Sequence, residues 1–133
     1  MLKQKEQAEL WRELSRAGII SAKYLFQLGD FRGSVNRAYY AAYHAGTAVT
    51  VSHGNDFARG WGNPTHDQLP DLIRNNGDLP VAVRKQVSQL LRSLRVQREN
   101  ADYRPGLTVD RQEAQNCLHR AEAVLDLLEA NDG

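Results

Sequence analysis

The sequence predicts an all-α fold, an antiparallel bundle of four main helices and one short helix. Three observations support it. Apolar residues recur every three or four places through most of the chain, the period of one helix face. Sustained two-residue alternation is missing, so strand signals are weak. Glycine, asparagine and proline gather in short clusters between the periodic stretches, where they punctuate rather than interrupt them.

The first helix is expected from about Lys3 to Leu28, with Ala8, Leu10, Trp11, Leu14, Ile19, Ala22 and Leu25 on a broad apolar stripe and Gly18 as a point of bending. LGD ends it, and Asp30 can cap a second helix to about Ser52 by accepting from free first-turn amides. HGNDFARGWGNPTH, residues 53 to 66, reads as a loop. A short third helix is expected over His66 to Arg74, limited by Pro70, with His66 either capping its start or standing as a second polar group over the tyrosine-lined groove. Pro80 suits the first turn of a fourth helix to about Asn100. Its apolar seam is Val83, Val87, Leu90, Leu91, Leu94 and Ala101, with Arg98 on the same line; Arg84, Ser88, Arg92 and Arg95 form an opposite polar stripe. Thr108 or Asp110 can cap a fifth helix, with Glu113 placed as in a capping box. Ala114, Cys117 or Leu118, Ala121, Val124 or Leu125, and Leu128 give that helix its seam.

The 133 residues suit one domain, 1–133, able to bury a core without disulfides or structural metal. A formal net charge of +1 gives no global signal for nucleic acid. Locally, six basic residues stand against two acidic ones between Arg84 and Arg104, which a solvated helix face would also explain. No apolar run approaches the roughly 20 residues needed to cross a bilayer, and MLKQKEQAELWREL lacks the apolar centre of a secretory signal, so a cytoplasmic location away from membranes is expected. The single cysteine, Cys117, reads as a small buried helix residue. His44, His53, His66 and His119 show no zinc-like spacing, and the glycines of HGNDFARGWG follow no strand, so neither a metal nor a cofactor is expected. Trp61 in that loop reads as an anchor or a partner contact.

The second helix concentrates the ionisable chemistry. Val35, Tyr39, Ala42, Gly46 and Val49, with Ala38 and Tyr43 beside them, make a core stripe, whereas Arg37, Tyr40, His44, Thr47 and Val51 share another face. Arg37 and His44 project in nearly the same direction because seven residues fall only about 20° short of two turns. A histidine near neutral pKa can move the proton of a ribose hydroxyl, and an arginine can stabilise charge on phosphate, which together would allow metal-independent RNA cleavage. If two such helices crossed at a twofold axis, Arg37 of one chain would approach His44 of the other. The plainer reading makes His44 structural and the tyrosines packing groups rather than stacking platforms. Arg98, with Asp102 four residues on, reads either as a satisfied ion pair closed by Tyr103 or as part of a phosphate pocket with Arg95.

SVNRAYYAAYHAGTAV and RENADYRPG, joined by the histidine-containing PTHDQL, resemble the small prokaryotic HEPN domains over about residues 8 to 128. In the last motif the matching residues are Arg98, Ala101, Asp102 and Tyr103. The resemblance implies an antiparallel helical bundle, usually a homodimer, linked to RNA cleavage or nucleotide binding. Many relatives are paired with a small nucleotidyltransferase in a toxin-antitoxin or defence setting. Catalytic relatives carry arginine and histidine with four to six residues between them, and the six between Arg37 and His44 imply these two as the catalytic pair. Tyr40, Arg95, Arg98, Asp102 and Tyr103 are then the expected nucleotide or phosphate ligands, and a non-catalytic dimeric module holding a nucleotidyltransferase is the alternative.

Overall fold

The computed structural model describes residues 3–131, with the Arg59 side chain excepted. The helices are α1 (Gln4–Gln27), α2 (Phe31–His53), α3 (Gln68–Arg74), α4 (Val81–Tyr103) and α5 (Arg111–Asn131), with a single 3-10 turn at Ala58–Gly60. The architecture is therefore the all-α bundle of four main helices and one short one, with no strand among the described residues.

Short turns reverse the chain between α1 and α2. Gly29 takes the left-handed conformation there, at φ +83°, and the Asp30 carboxylate accepts from the Gly33 amide at 2.8 Å. A cap of this kind contributes about 1 kcal/mol. Asp110 starts α5 in the same way, accepting from the Glu113 amide at 2.9 Å. Of the two caps open in the sequence, Asp110 is the one used.

α2 is the central helix, in contact with α1, α3, α4 and α5. Its small residues make this possible. A Cβ on Gly18 would lie 3.3 Å from the Ala41 Cβ, and one on Gly46 would lie 3.1 Å from Leu69 Cδ2, so α1 and the Leu69 side chain approach α2 as closely as backbone allows. Ser15 Oγ donates to the Ala41 carbonyl at 2.7 Å and Ser34 Oγ to the Ala22 carbonyl at 2.8 Å, which satisfies two hydroxyls in the buried seam. Gly18 thus serves contact, not bending, and α1 runs unbroken. The alanine and glycine faces of α2 are covered by its neighbours within the chain.

The core continues through Val35, Tyr39, Leu69, Ile73, Val87, Leu91, Leu94, Cys117, Ala121, Val124 and Leu128. Several expectations need correction. Leu10 and Leu14 are 49 % and 50 % exposed, because α1 turns Ala8, Ser15 and Ala22 inward instead. Ser88, expected on the polar stripe of α4, is fully buried, and Thr47 and Val51 are buried rather than aligned with Arg37 toward solvent. α3 begins at Gln68, after His66, and Pro70 lies in its first turn, where a missing amide costs nothing. Thr65 supplies the side-chain acceptor there, taking the Gln68 amide at 3.0 Å, so His66 is free for another role. α4 extends three residues beyond Asn100 to include Asp102 and Tyr103.

Candidate functional site

Fourteen of the 23 residues of α2 are buried, and the exceptions decide the site. Asn36, Arg37, Tyr40 and His44 form the line along which α2 reaches the surface; Arg37 is exposed and the other three are half-buried. The sequence grouped three of these four correctly.

Tyr39 and Tyr43 point inward and fasten the loop that precedes α3. Burial pushes the Tyr39 hydroxyl above its ordinary range, so it stays protonated, and it shares a hydrogen bond with His66 Nδ1 at 2.5 Å. Burial, then Arg98 and Arg95, lower the His66 pKa. The ring is therefore neutral at pH 7. The Tyr43 hydroxyl, also raised by burial, donates to the Pro64 carbonyl and accepts from Asn63 Nδ2 at 2.9 Å. These two tyrosines are packing groups that also position His66.

His44 lies among Trp11, Tyr40 and Tyr43, with ring centroids 5.4, 6.1 and 5.6 Å away. Its Nδ1 is buried without a hydrogen-bond partner. Burial, reinforced by the Arg37 charge, lowers its pKa and keeps the imidazole neutral at pH 7. Arg37 donates through Nε to Asn36 Oδ1 at 2.8 Å and places its guanidinium 5.4 Å from the Tyr40 ring centre. Tyr40 stands between Arg37 and His44.

From Asn36 the network crosses to α4. Asn36 Nδ2 donates to Asp102 Oδ2 at 2.8 Å, and the same oxygen lies 3.6 Å from Arg98 Nη1. Arg98 is 6 % exposed, and its Nε is buried without a partner. Its guanidinium lies 5.4, 5.7 and 5.6 Å from the ring centres of Tyr39, Tyr40 and Tyr103. Tyrosine faces attract a cation but accept no full hydrogen bond, so Arg98 is held with donor capacity to spare. Tyr103 is 71 % exposed and covers the outer side.

Two residues that position this end escaped the sequence reading. Asn36 links Arg37 to Asp102, and Arg32 organises the end of α4. Arg32 Nη1 donates to the Ala101 carbonyl at 2.9 Å, and Nη2 donates to the Leu107 carbonyl. Helix C-termini leave carbonyls unsatisfied, and α4 has no basic residue in its last turn to serve them. That lack was the available signal for a donor from elsewhere in the chain.

Arg95 lies at the edge of the cluster. It pairs with Asp67 and, at 3.0 Å, with Glu99, while Arg92 pairs with Asp71 at 2.8 Å. The Arg95 hydrogen bond holds the Asp67 carboxyl below the usual range. His66, Asp67, Pro70, Arg92, Arg95, Val96 and Glu99 together line an open groove beside the tyrosines.

The fold and this end define a class, a helical bundle whose central helix exposes one arginine-tyrosine-histidine line beside a caged arginine. Residues 8–131 match the HEPN domain, and the chain belongs to that family. A UPF0332 protein of Thermotoga maritima is 22 % identical over 121 residues, covering 91 % of this chain and 87 % of that protein. The crystal structure of TT1696 from Thermus thermophilus superposes with a TM-score of 0.65 at 21 % identity, over 94 % of this chain and 98 % of that one, and shows the same fold.

Proposed function

We propose that this HEPN protein binds single-stranded RNA or nucleotides, as a homodimer, along the surface line of Arg37, Tyr40 and His44 beside Arg98 and Tyr103. The observation that carries the reading is the charge balance. Two guanidinium groups share one carboxylate, Asp102, through Asn36 and a long 3.6 Å contact, beside the exposed ring of Tyr103. Under-neutralised arginine attracts phosphate, and open aromatic faces stack bases without sequence preference. The test is a titration of labelled single-stranded RNA in chelator. Saturable binding that weakens with salt is expected; an absence of binding at low salt would overturn the proposal.

A second reading, metal-independent cleavage, is favoured by one observation: His44 is neutral at pH 7 and shares the surface line of α2 with Arg37, Tyr40 standing between them. It can take the proton of a ribose 2′-hydroxyl as the 2′-oxygen attacks phosphorus, while Arg37 holds the phosphate charge. The P–O5′ bond then breaks, and the 5′-oxygen takes a proton from water. Cleavage in chelator that disappears in His44→Ala supports this reading, and equal cleavage by that variant removes His44 from the reaction. The resemblance to paired systems adds a toxin-antitoxin setting and a nucleotidyltransferase partner; co-purification with a neighbouring nucleotidyltransferase is the corresponding test.

A further inference from the structure

The leucines that α1 turns away from the core are not scattered. Leu10, Leu14, Ala17, Ser21, Tyr24 and Leu28 fall within about 40° of one line along the helix, with Ile20 on its flank. Leu10, Leu14, Ile20, Tyr24 and Leu28 are 49 %, 50 %, 68 %, 62 % and 64 % exposed. The face that α1 gives to α2 and α5 is the different one carrying Ala8, Ser15 and Ala22. α1 is thus apolar on two sides, and only one of them is covered.

The order of side chains along the uncovered line reads the same in both directions about position 19. Leu10 mirrors Leu28, Leu14 mirrors Tyr24, and Ala17 mirrors Ser21. Two copies placed antiparallel across a twofold axis at that position set large side chains against large ones at the ends and small against small at the centre. That is the self-complementarity an isologous interface requires. Small residues at the centre also let the helices approach closely.

We infer that this face pairs two copies of the chain, α1 against α1, antiparallel. Each copy offers five large apolar side chains at about half or more of their full exposure, which a pairing would set toward the roughly 1,000 Å² expected of a specific interface. Charge selects the direction. Glu6 and Glu13 border the first half of the line, whereas no charged residue borders its second half, Lys23 facing α5 and pairing with Glu122 at 3.4 Å. Parallel pairing would set the acids against their own copies; antiparallel pairing sets them against the half without acids. Trp11 stands on one shoulder of this line and packs against His44, so the arrangement brings the His44 lines of the two copies to the same face of the dimer. The pairing itself does not depend on what those lines bind.

Light scattering on the full chain at micromolar concentration tests the inference. Wild type is expected as a dimer. Leu14→Glu combined with Tyr24→Glu is expected to raise the dimer dissociation constant by about 100-fold or more, with helix content unchanged by circular dichroism because both positions face outward. A monomeric wild type, or a dimer that survives both substitutions, overturns it. Direction is read separately by mixing Ala17→Cys and Ser21→Cys proteins under mild oxidation, with native Cys117 buried away from the reaction. Antiparallel pairing predicts mainly the mixed disulfide; mainly like-with-like disulfides, or none, overturns the antiparallel arrangement.

Discussion

Two arginine-rich regions lie side by side on this molecule and differ in what their charge is used for. In the groove of α3 and α4, Arg92 and Arg95 face Asp71, Asp67 and Glu99, and each cation has a carboxylate within ordinary ion-pair distance. These pairs add to the buried Leu69, Pro70 and Ile73, which seat the seven-residue helix α3 in the core. At the other region, Asp102 is the one carboxylate in the network: Arg98 lies 3.6 Å from it and against three tyrosine rings, and Arg37 reaches it only through the Asn36 amide. Counting arginines in the sequence gives both regions the same weight. The placement of carboxylates separates a structural patch from one with charge left over for a ligand.

The largest effect is expected where the surplus is greatest. Arg98→Met keeps the volume and apolar stem of the side chain while removing its charge, a kind of exchange that folded proteins often tolerate. RNA affinity should fall by about 30- to 100-fold, equivalent to roughly 2–3 kcal/mol, with little change in the unfolding midpoint. If affinity holds, the caged arginine is purely structural. Tyr103→Ser should weaken RNA binding by about tenfold through the loss of one stacking face, again without a loss of fold, since the ring is mostly exposed. A collapse in stability would instead assign Tyr103 to closing the bundle.

The smallest effect concerns pH. His44 and His66 have pKa values lowered by burial, so the unfolded chain binds protons at these sites more readily than the folded one. Their neutral forms impose no pH dependence above the ordinary histidine value of about 6.5. As pH falls below that value toward the lowered ones, stability should decline. Urea midpoints measured from pH 7.5 down to pH 5 should therefore fall, and the fall should be shallower in His44→Gln or His66→Gln. Identical slopes in the variants would show that neither imidazole titrates in the assigned way.

Helix number and order, the Asp30 and Asp110 caps and most of the core were legible in the sequence, because each rests on local signals of period and capping. The inward roles of Tyr39 and Tyr43 also followed from period. What sequence could not resolve is which of two apolar lines on one helix is covered. α1 carries both Ala8-Ser15-Ala22 and Leu10-Leu14-Leu28, and hydrophobicity favours the wrong one. The neighbour's close approach decides, and it selects small residues. Ser88 was misplaced for a related reason, since a small hydroxyl side chain fits a tight seam that a periodic pattern marks as polar. Asn36 and Arg32 were invisible because their partners lie on α4 and beyond, across a register that only the packed helices establish.

The central claim is that surplus charge, rather than the number of arginines, defines the ligand site. Fluorescence anisotropy of one labelled single-stranded RNA, in chelator and at fixed low salt, tests it when Arg37→Gln and Arg95→Gln are measured side by side. The account predicts a loss of about tenfold for Arg37→Gln, as expected for one charge-assisted phosphate contact, and a change of less than about twofold for Arg95→Gln, whose charge is already matched. Equal losses, or a larger loss at Arg95, would contradict it.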